Sequence, residues 1–153
     1  MRTIHLVDVH HSAGRQTDDV PTITREHQRR GFRTIGYHWL IHKPSGSPWR
    51  VDQGRLEADI GAHDDGQNAH SIGVCVAGDY SRGPVPPDAW SVLVATVADV
   101  CRRYGLTGAD VQGHREHEPA TTPTACPGFD PALLRAAVAL QLQLPVHPME
   151  TSR

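Results

Sequence analysis

Residues 71–77 read SIGVCVA and residues 87–104 read PDAWSVLVATVADVCRRY, and these two stretches decide the fold class. The first is a short, continuous apolar run, which is typical of a strand buried on both faces of a sheet. In the second, apolar residues recur at spacings of three, four and seven, which predicts an amphipathic helix that packs on the sheet. Gly105 follows where helices commonly end. The predicted inward face consists of Trp90, Leu93, Val94, Val97, Cys101 and Tyr104.

Working outward, residues 3–9 and 37–42 are rich in β-branched, aromatic and aliphatic side chains and are predicted to be strands. Residues 111–113 suggest a further short strand. Between the first two strands, residues 22–30 are compatible with a helix, with Thr22 or Thr24 as its N-cap and Gly31 as its stop.

A last helix is predicted after Asp130, which can cap it, with Pro131 at its first position. Its predicted inward residues are Leu133, Leu134, Ala137, Val138 and Leu140. Strands alternating with helices indicate an α/β fold, a single-domain mixed β-sheet flanked by α-helices. We expect the domain to occupy residues 1–144 and a flexible C-terminal tail to occupy residues 145–153. Residues 43–68 and 116–127 fit no element, and loops of that length are usually functional.

Composition narrows the possible functions. The 153 residues suffice for one domain with a substantial core. The 15 basic and 17 acidic side chains give a formal charge of -2, which argues against a nucleic-acid partner. No apolar run is long enough to insert into a membrane, and no secretory signal precedes residue 9. We therefore expect synthesis in the cytoplasm without a signal peptide.

The three cysteines, at 75, 101 and 126, are too few and too scattered for a disulfide framework. Cys75 lies in the apolar run and Cys101 on the helical apolar face, so both are predicted to be small buried hydrophobic residues. Cys126 lies in the loop sequence ACPG, where packing gives no reason for a thiol. It is therefore the cysteine that indicates chemistry.

Histidine nitrogen and cysteine sulfur are ligands that zinc prefers, and a catalytic zinc site uses three of them with one position left for water. The candidates are His10, His11, His114 and Cys126. Successive side chains of a strand point to opposite faces, so only one of the first two can reach a given ion. The other candidates follow no compact zinc-finger spacing, and ordinary packed or exposed histidines remain an alternative reading of these residues.

Six segments occur in an order that resembles one known family. They are VHHSA at 9–13, GYHWLI at 36–41, GAH at 61–63, NAHSIGV at 68–74, GHRE at 113–116 and ACPGFD at 125–130. Together they resemble the zinc-dependent N-acetylmuramoyl-L-alanine amidases of the type-2 amidase and peptidoglycan-recognition-protein superfamily, including amidase-type phage lysozymes. The resemblance extends from about residue 3 to residue 140.

The resemblance implies one zinc ion held by His10, His114 and Cys126, with His11 as a neighbour outside the site. It also implies that Tyr37 lies near the metal. Thr124 matches a position held by lysine in some phage members and by threonine in catalytic peptidoglycan-recognition proteins. An uncharged threonine should stabilise developing charge less than lysine does.

The implied chemistry is amide hydrolysis, because zinc lowers the pKa of bound water toward ~7 and polarises a carbonyl. Tyr37 and Thr124 are candidate catalytic donors to the tetrahedral intermediate. His63 and Asn68 lie in a Gly-bounded loop and are candidates for substrate binding. The general acid stays open among Tyr37, His63 and Glu116.

The resemblance predicts a hydrolase of peptidoglycan that cuts between the lactyl group of N-acetylmuramic acid and L-Ala of the stem peptide. We expect a monomeric phage or prophage endolysin that reaches the cell wall after holin-type release. One alternative is a cytoplasmic muropeptide-recycling amidase, in which an aspartate usually replaces the cysteine ligand. Another is a noncatalytic peptidoglycan-binding module, as in superfamily members that lack a metal ligand. A third is a regulatory partner such as a polymerase, which nothing in the sequence tests.

Overall fold

A computed structural model describes residues 2–117 and 123–145 of the chain. In these residues the strands are β1 (Leu6–His11), β2 (Trp39–His42), β3 (Arg50–Gln53), β4 (Ser71–Val76) and β5 (Val111–Gly113). The helices are α1 (Val20–Arg29), α2 (Pro87–Tyr104) and α3 (Pro131–Gln143). Two short 3₁₀ turns, Gly108–Asp110 and His114–Glu116, flank β5.

The strands form a mixed sheet in the order β3-β2-β4-β1-β5. β1 lies parallel to both β4 and β5, β2 lies parallel to β4, and only the β2–β3 pair is antiparallel. The register places His10 opposite Cys75 and Val9 opposite both Val74 and Gly113. The carboxyl ends of β1 and β5 therefore meet at one edge of the sheet. The predicted mixed α/β fold is confirmed.

The two faces of the sheet carry different cores. Val7 and Val9 of β1 join the large core beneath α2 and α3, together with Val74 and Leu93. A smaller core with Ile23 of α1 covers the other face. Because side chains alternate along a strand, the neighbours of Val7 and Val9 point toward this second face, where the site lies.

The predicted helix at 87–104 has the bounds expected from its periodicity, and its apolar face packs into the core. Gly105 ends it in the left-handed region, at φ 66°. The N-terminus of α1 differs from the prediction of a threonine cap, because the side chain of Asp19 caps this helix. Its carboxylate accepts a 2.9 Å hydrogen bond from the N–H of Thr22, so the helix begins at Val20.

Two further predictions are corrected. β3 lies inside the unassigned stretch 43–68, where a four-residue edge strand with exposed ends leaves little periodic signal. In α3, Leu134 and Val138 are buried as expected, but Leu133 and Leu140 are each 63% exposed. The buried pair is spaced by four residues on the stripe that faces the core, and the exposed leucines lie outside that stripe.

No helix in residues 2–117 and 123–145 has the length and apolar character that a membrane span requires. The domain limits 1–144 stay a prediction. Residues 146–153 of the expected flexible tail lie outside the described residues.

Candidate metal centre

The three residues expected to bind zinc come together at the carboxyl edge of the sheet. His10 lies near the end of β1, His114 directly follows β5, and Cys126 lies in the loop before α3. One ligand atom from each lies within 4.8 Å of the other two. The Sγ atom of Cys126 is 3.6 Å from Nδ1 of His10, and the two imidazole centroids are 4.7 Å apart. This donor set and its open side fit a catalytic zinc ion.

Backbone groups support the thiol of Cys126. The N–H of His11 donates to Sγ of Cys126 at 3.4 Å. The N–H of Cys126 donates to Oγ1 of Thr124 at 3.1 Å. The His11 ring points away from the ligand cluster, where its Nδ1 accepts a 3.0 Å hydrogen bond from the N–H of Tyr80. Strand alternation therefore separates the two neighbouring histidines, as the sequence predicts.

A second cluster, which the sequence analysis missed, lies behind His10. Nε2 of His10 is 3.0 Å from Nδ1 of His63 and 3.4 Å from Oδ2 of Asp8. The same oxygen is 3.5 Å from Nδ1 of His63, and all three side chains are buried. One sequence signal could have indicated this cluster. Asp8 is a charged residue inside an apolar strand, and it lies two positions before His10, so the two side chains point to the same face of the sheet.

Two more groups extend this cluster toward solvent. The carboxylate of Asp64 is 2.8 Å from Nδ1 of His117 and 3.7 Å from Nε2 of His114. Burial, followed by the adjacent carboxylate of Asp8, raises the pKa of Asp64 to about 6. The sequence analysis gave His117 no role, since a histidine in an unassigned loop carries no local signal of its partner.

The field of the cluster favours positive charge at His10. Burial lowers the pKa of His10, but Asp8 and Cys126 outweigh burial and raise this pKa to about 10. Burial lowers the pKa of both His63 and His114 to about 4, so these rings are neutral and able to bind a metal at neutral pH. The site thus combines two neutral imidazole rings with an electrostatic environment that attracts cations.

The candidate metal site opens into a groove of about 600 Å³. Tyr37 and Thr124 both line it, as do His27, Arg30, Phe32 and Asn68. The Tyr37 ring packs between the rings of His10 and His27, at centroid distances of 5.2 and 5.3 Å. Burial, followed by the neighbouring Cys75 and Cys126, raises the pKa of Tyr37 well above its ordinary value. Its hydroxyl therefore keeps its proton and can donate.

The other candidate residues have distinct surroundings. The side chain of His63 packs against Asp8, and His63 is also among the residues that line the groove, so its role in substrate binding stays a prediction. Oδ1 of Asn68 accepts hydrogen bonds from the N–H groups of His63 and Asp64, at 2.8 and 3.0 Å, and so shapes the loop at the groove. Glu116 forms a two-point ion pair with Arg135 at 2.7 and 2.9 Å, which occupies its carboxylate.

Comparison with known proteins agrees with this site. The sequence profile of the N-acetylmuramoyl-L-alanine amidase family matches residues 1–129. The endolysin of Klebsiella phage KP32 is 31% identical over 129 residues, which cover 80% of this chain and 79% of the endolysin. The endolysin of Escherichia phage T7 is 33% identical with the same coverage.

Among solved structures, the amidase LysC from Clostridium intestinale URNW superposes with a TM-score of 0.75 at 27% identity, covering 88% of this chain and 85% of LysC. The match of the family profile extends over most of the chain, and it includes the strand with His10, the groove residue Tyr37 and the loop with Cys126. The chain therefore belongs to the N-acetylmuramoyl-L-alanine amidase family.

Proposed function

We propose that this chain is a zinc-dependent endolysin that hydrolyses the amide between the lactyl group of N-acetylmuramic acid and L-Ala of the stem peptide. The observation that carries the proposal is the convergence of His10, His114 and Cys126 at the head of an open groove. The phage endolysins that share about a third of its sequence support a lytic role on peptidoglycan.

These three residues would hold the zinc ion, through Nδ1 of His10 and the Cys126 thiolate among others. When bound, zinc supplies a water of lowered pKa and polarises the scissile carbonyl. The His11 N–H that donates to Sγ of Cys126 stabilises the thiolate form, as outer hydrogen bonds commonly do around metal ligands.

The chain supplies the donors that the developing oxyanion requires. Tyr37 keeps its phenolic proton because its pKa is raised, so it donates to the oxyanion throughout the neutral range. The hydroxyl oxygen of Thr124 accepts from the N–H of Cys126, which leaves its proton available for substrate. The amide of Asn68 would bind glycan or peptide along the groove floor.

A paired substitution tests the metal assignment. Cys126→Ala should abolish turnover and zinc binding at the site that Cys126 shares with His10 and His114, because it removes the thiolate ligand. The matched control is Cys101→Ala, which removes a buried thiol in the core beneath α2, outside the groove, and should retain both. Zinc content is measured by elemental analysis, and turnover by mass spectrometry of products released from purified sacculi.

The products separate amidase from other activities. Intact stem peptides with a free L-Ala amine support the proposal, whereas binding to sacculi without release would indicate a noncatalytic module. Turnover that survives Cys126→Ala would refute the ligand assignment. We also propose that the enzyme acts as a monomer on the cell wall after holin-type release. Light scattering and lysis of cells with and without a co-expressed holin test these two points.

A further inference from the structure

His10 presents a ring nitrogen to each of two groups of ligand-type atoms. Its Nδ1 faces Cys126, whereas its Nε2 faces Oδ2 of Asp8 and Nδ1 of His63. The three atoms of this second group form a compact triangle with edges of 3.0, 3.4 and 3.5 Å. All three side chains are at most 1% exposed.

This buried triangle has fewer hydrogen-bond donors than acceptors. Neither oxygen of Asp8, nor Oδ2 of Asp64 beside it, accepts a hydrogen bond from residues 2–117 or 123–145. Ser71 Oγ donates to the carbonyl of Gln67 at 2.9 Å, so it can accept from Nε2–H of His63 at 3.3 Å. The Nδ1 atom of His63 is then an acceptor as well. With Nδ1 of His10 directed at Cys126, the Nε2–H of His10 is the one imidazole proton left to serve these acceptors.

A buried carboxylate without donors is costly unless it is paired or binds a metal. The size of the triangle is suitable for binding a metal ion. Tetrahedral zinc with bonds of ~2.0–2.2 Å separates neighbouring ligand atoms by about 3.3–3.6 Å. Two edges of the triangle, 3.4 and 3.5 Å, lie in this range, and the third, 3.0 Å, is slightly shorter. Two imidazole nitrogens and a carboxylate oxygen also form a ligand set that zinc-class divalent cations accept.

We propose that Asp8, His10 and His63 form a second binding site for a divalent cation of the zinc class, behind the catalytic site. This inference goes beyond the proposed function and rests on it in one respect, because the two sites share His10. Filling both sites makes the His10 ring a bridging imidazolate, and the Nε2 proton is released to solvent as the second cation binds. The buried cation fixes the ring so that Nδ1 faces Cys126, which is the role that outer groups commonly have around a metal ligand.

Metal stoichiometry of the full chain tests the proposal. The protein is stripped with a chelator, reconstituted with zinc alone, and passed through a desalting column before elemental analysis. We expect two zinc ions per chain in the wild type, one in Asp8→Asn and one in Cys126→Ala. The control Asp99→Asn removes a surface carboxylate of α2 that is 64% exposed, and it should retain two. His63→Gln should also bind one zinc ion per chain, so it can replace Asp8→Asn in the test if that variant fails to fold.

Each pattern has a defined meaning. If the wild type binds one zinc ion per chain and Asp8→Asn still binds it, even with weaker affinity, the second site is refuted. Asp8 is then a carboxylate that orients His10. One zinc that survives Cys126→Ala but is lost in Asp8→Asn would support the buried site and refute the proposed catalytic site. Near-UV circular dichroism checks that each variant keeps its tertiary packing.

Discussion

Replacing Tyr37 with phenylalanine removes one hydroxyl from the groove and leaves the ring in place. Phenylalanine keeps the packing between the rings of His10 and His27, whose centroids lie 5.2 and 5.3 Å away. The raised pKa of Tyr37 means that the wild-type hydroxyl keeps its proton at neutral pH and is able to donate. Loss of one such donor to an oxyanion typically costs ~2.7–4 kcal/mol, so we expect kcat to fall about 10²–10³-fold with KM little changed.

The assay follows the appearance of the free L-Ala amine from soluble muropeptides by mass spectrometry, with zinc content measured on the same sample. Tyr80→Phe is the matched control, because that hydroxyl donates to the carbonyl of Ala77 at 2.7 Å and does not line the groove. The control should lose about 1 kcal/mol of unfolding free energy and keep its kcat. A kcat for Tyr37→Phe equal to that of the control, with zinc retained, would refute the assignment of this hydroxyl.

Three further predictions concern packing and pH. Leu134→Ala should lower the unfolding free energy by ~2–5 kcal/mol in urea titrations. Leu133→Ala, at an exposed site, should change the unfolding free energy by less than about 0.5 kcal/mol. Equal losses in the two variants would contradict the packing of α3. Gly73→Ala should lower kcat, because a methyl group there would lie 2.4 Å from an imidazole carbon of the buried cluster, whereas Gly83→Ala meets nothing within 4 Å and should retain full kcat. The folded-state pKa of His27 is about 4, below the ordinary value because of burial, so the unfolded state binds more protons between about pH 6.5 and 4. Stability should therefore fall as pH falls through this window, and His27→Gln should reduce the slope of unfolding free energy against pH by about one proton; an unchanged slope would contradict the assigned pKa.

The sequence predicts those parts of the fold that depend on local pattern. The apolar spacing of residues 87–104 gives the bounds of α2, and the continuous apolar run gives β4. Local pattern fails where its signal is short or ambiguous. The edge strand β3 has four residues, and Asp19 competes with the threonines that follow it as the helix cap.

The candidate metal ligands were predicted by resemblance, because spacing alone left ordinary histidines as an alternative. His10 and Cys126 are separated by 116 positions, and only the parallel pairing of β1 with β5 and the path of the following loop bring them together. The role of His63 in substrate binding stays a prediction. The loop sequence around His63 does not indicate that this side chain packs against Asp8 of β1.

By itself, then, the sequence determined the helices, the buried strands and the opposite directions of His10 and His11, since each depends on the period of a local element. Only the tertiary structure decided that Asp8, His63 and Asp64 surround the back of His10. These residues come from β1 and from a loop more than fifty positions away, and their proximity depends on the register of β1 against β4. Residues that meet across a sheet leave no periodic trace in a single sequence, so the charge and the donors of this cluster become visible only in three dimensions.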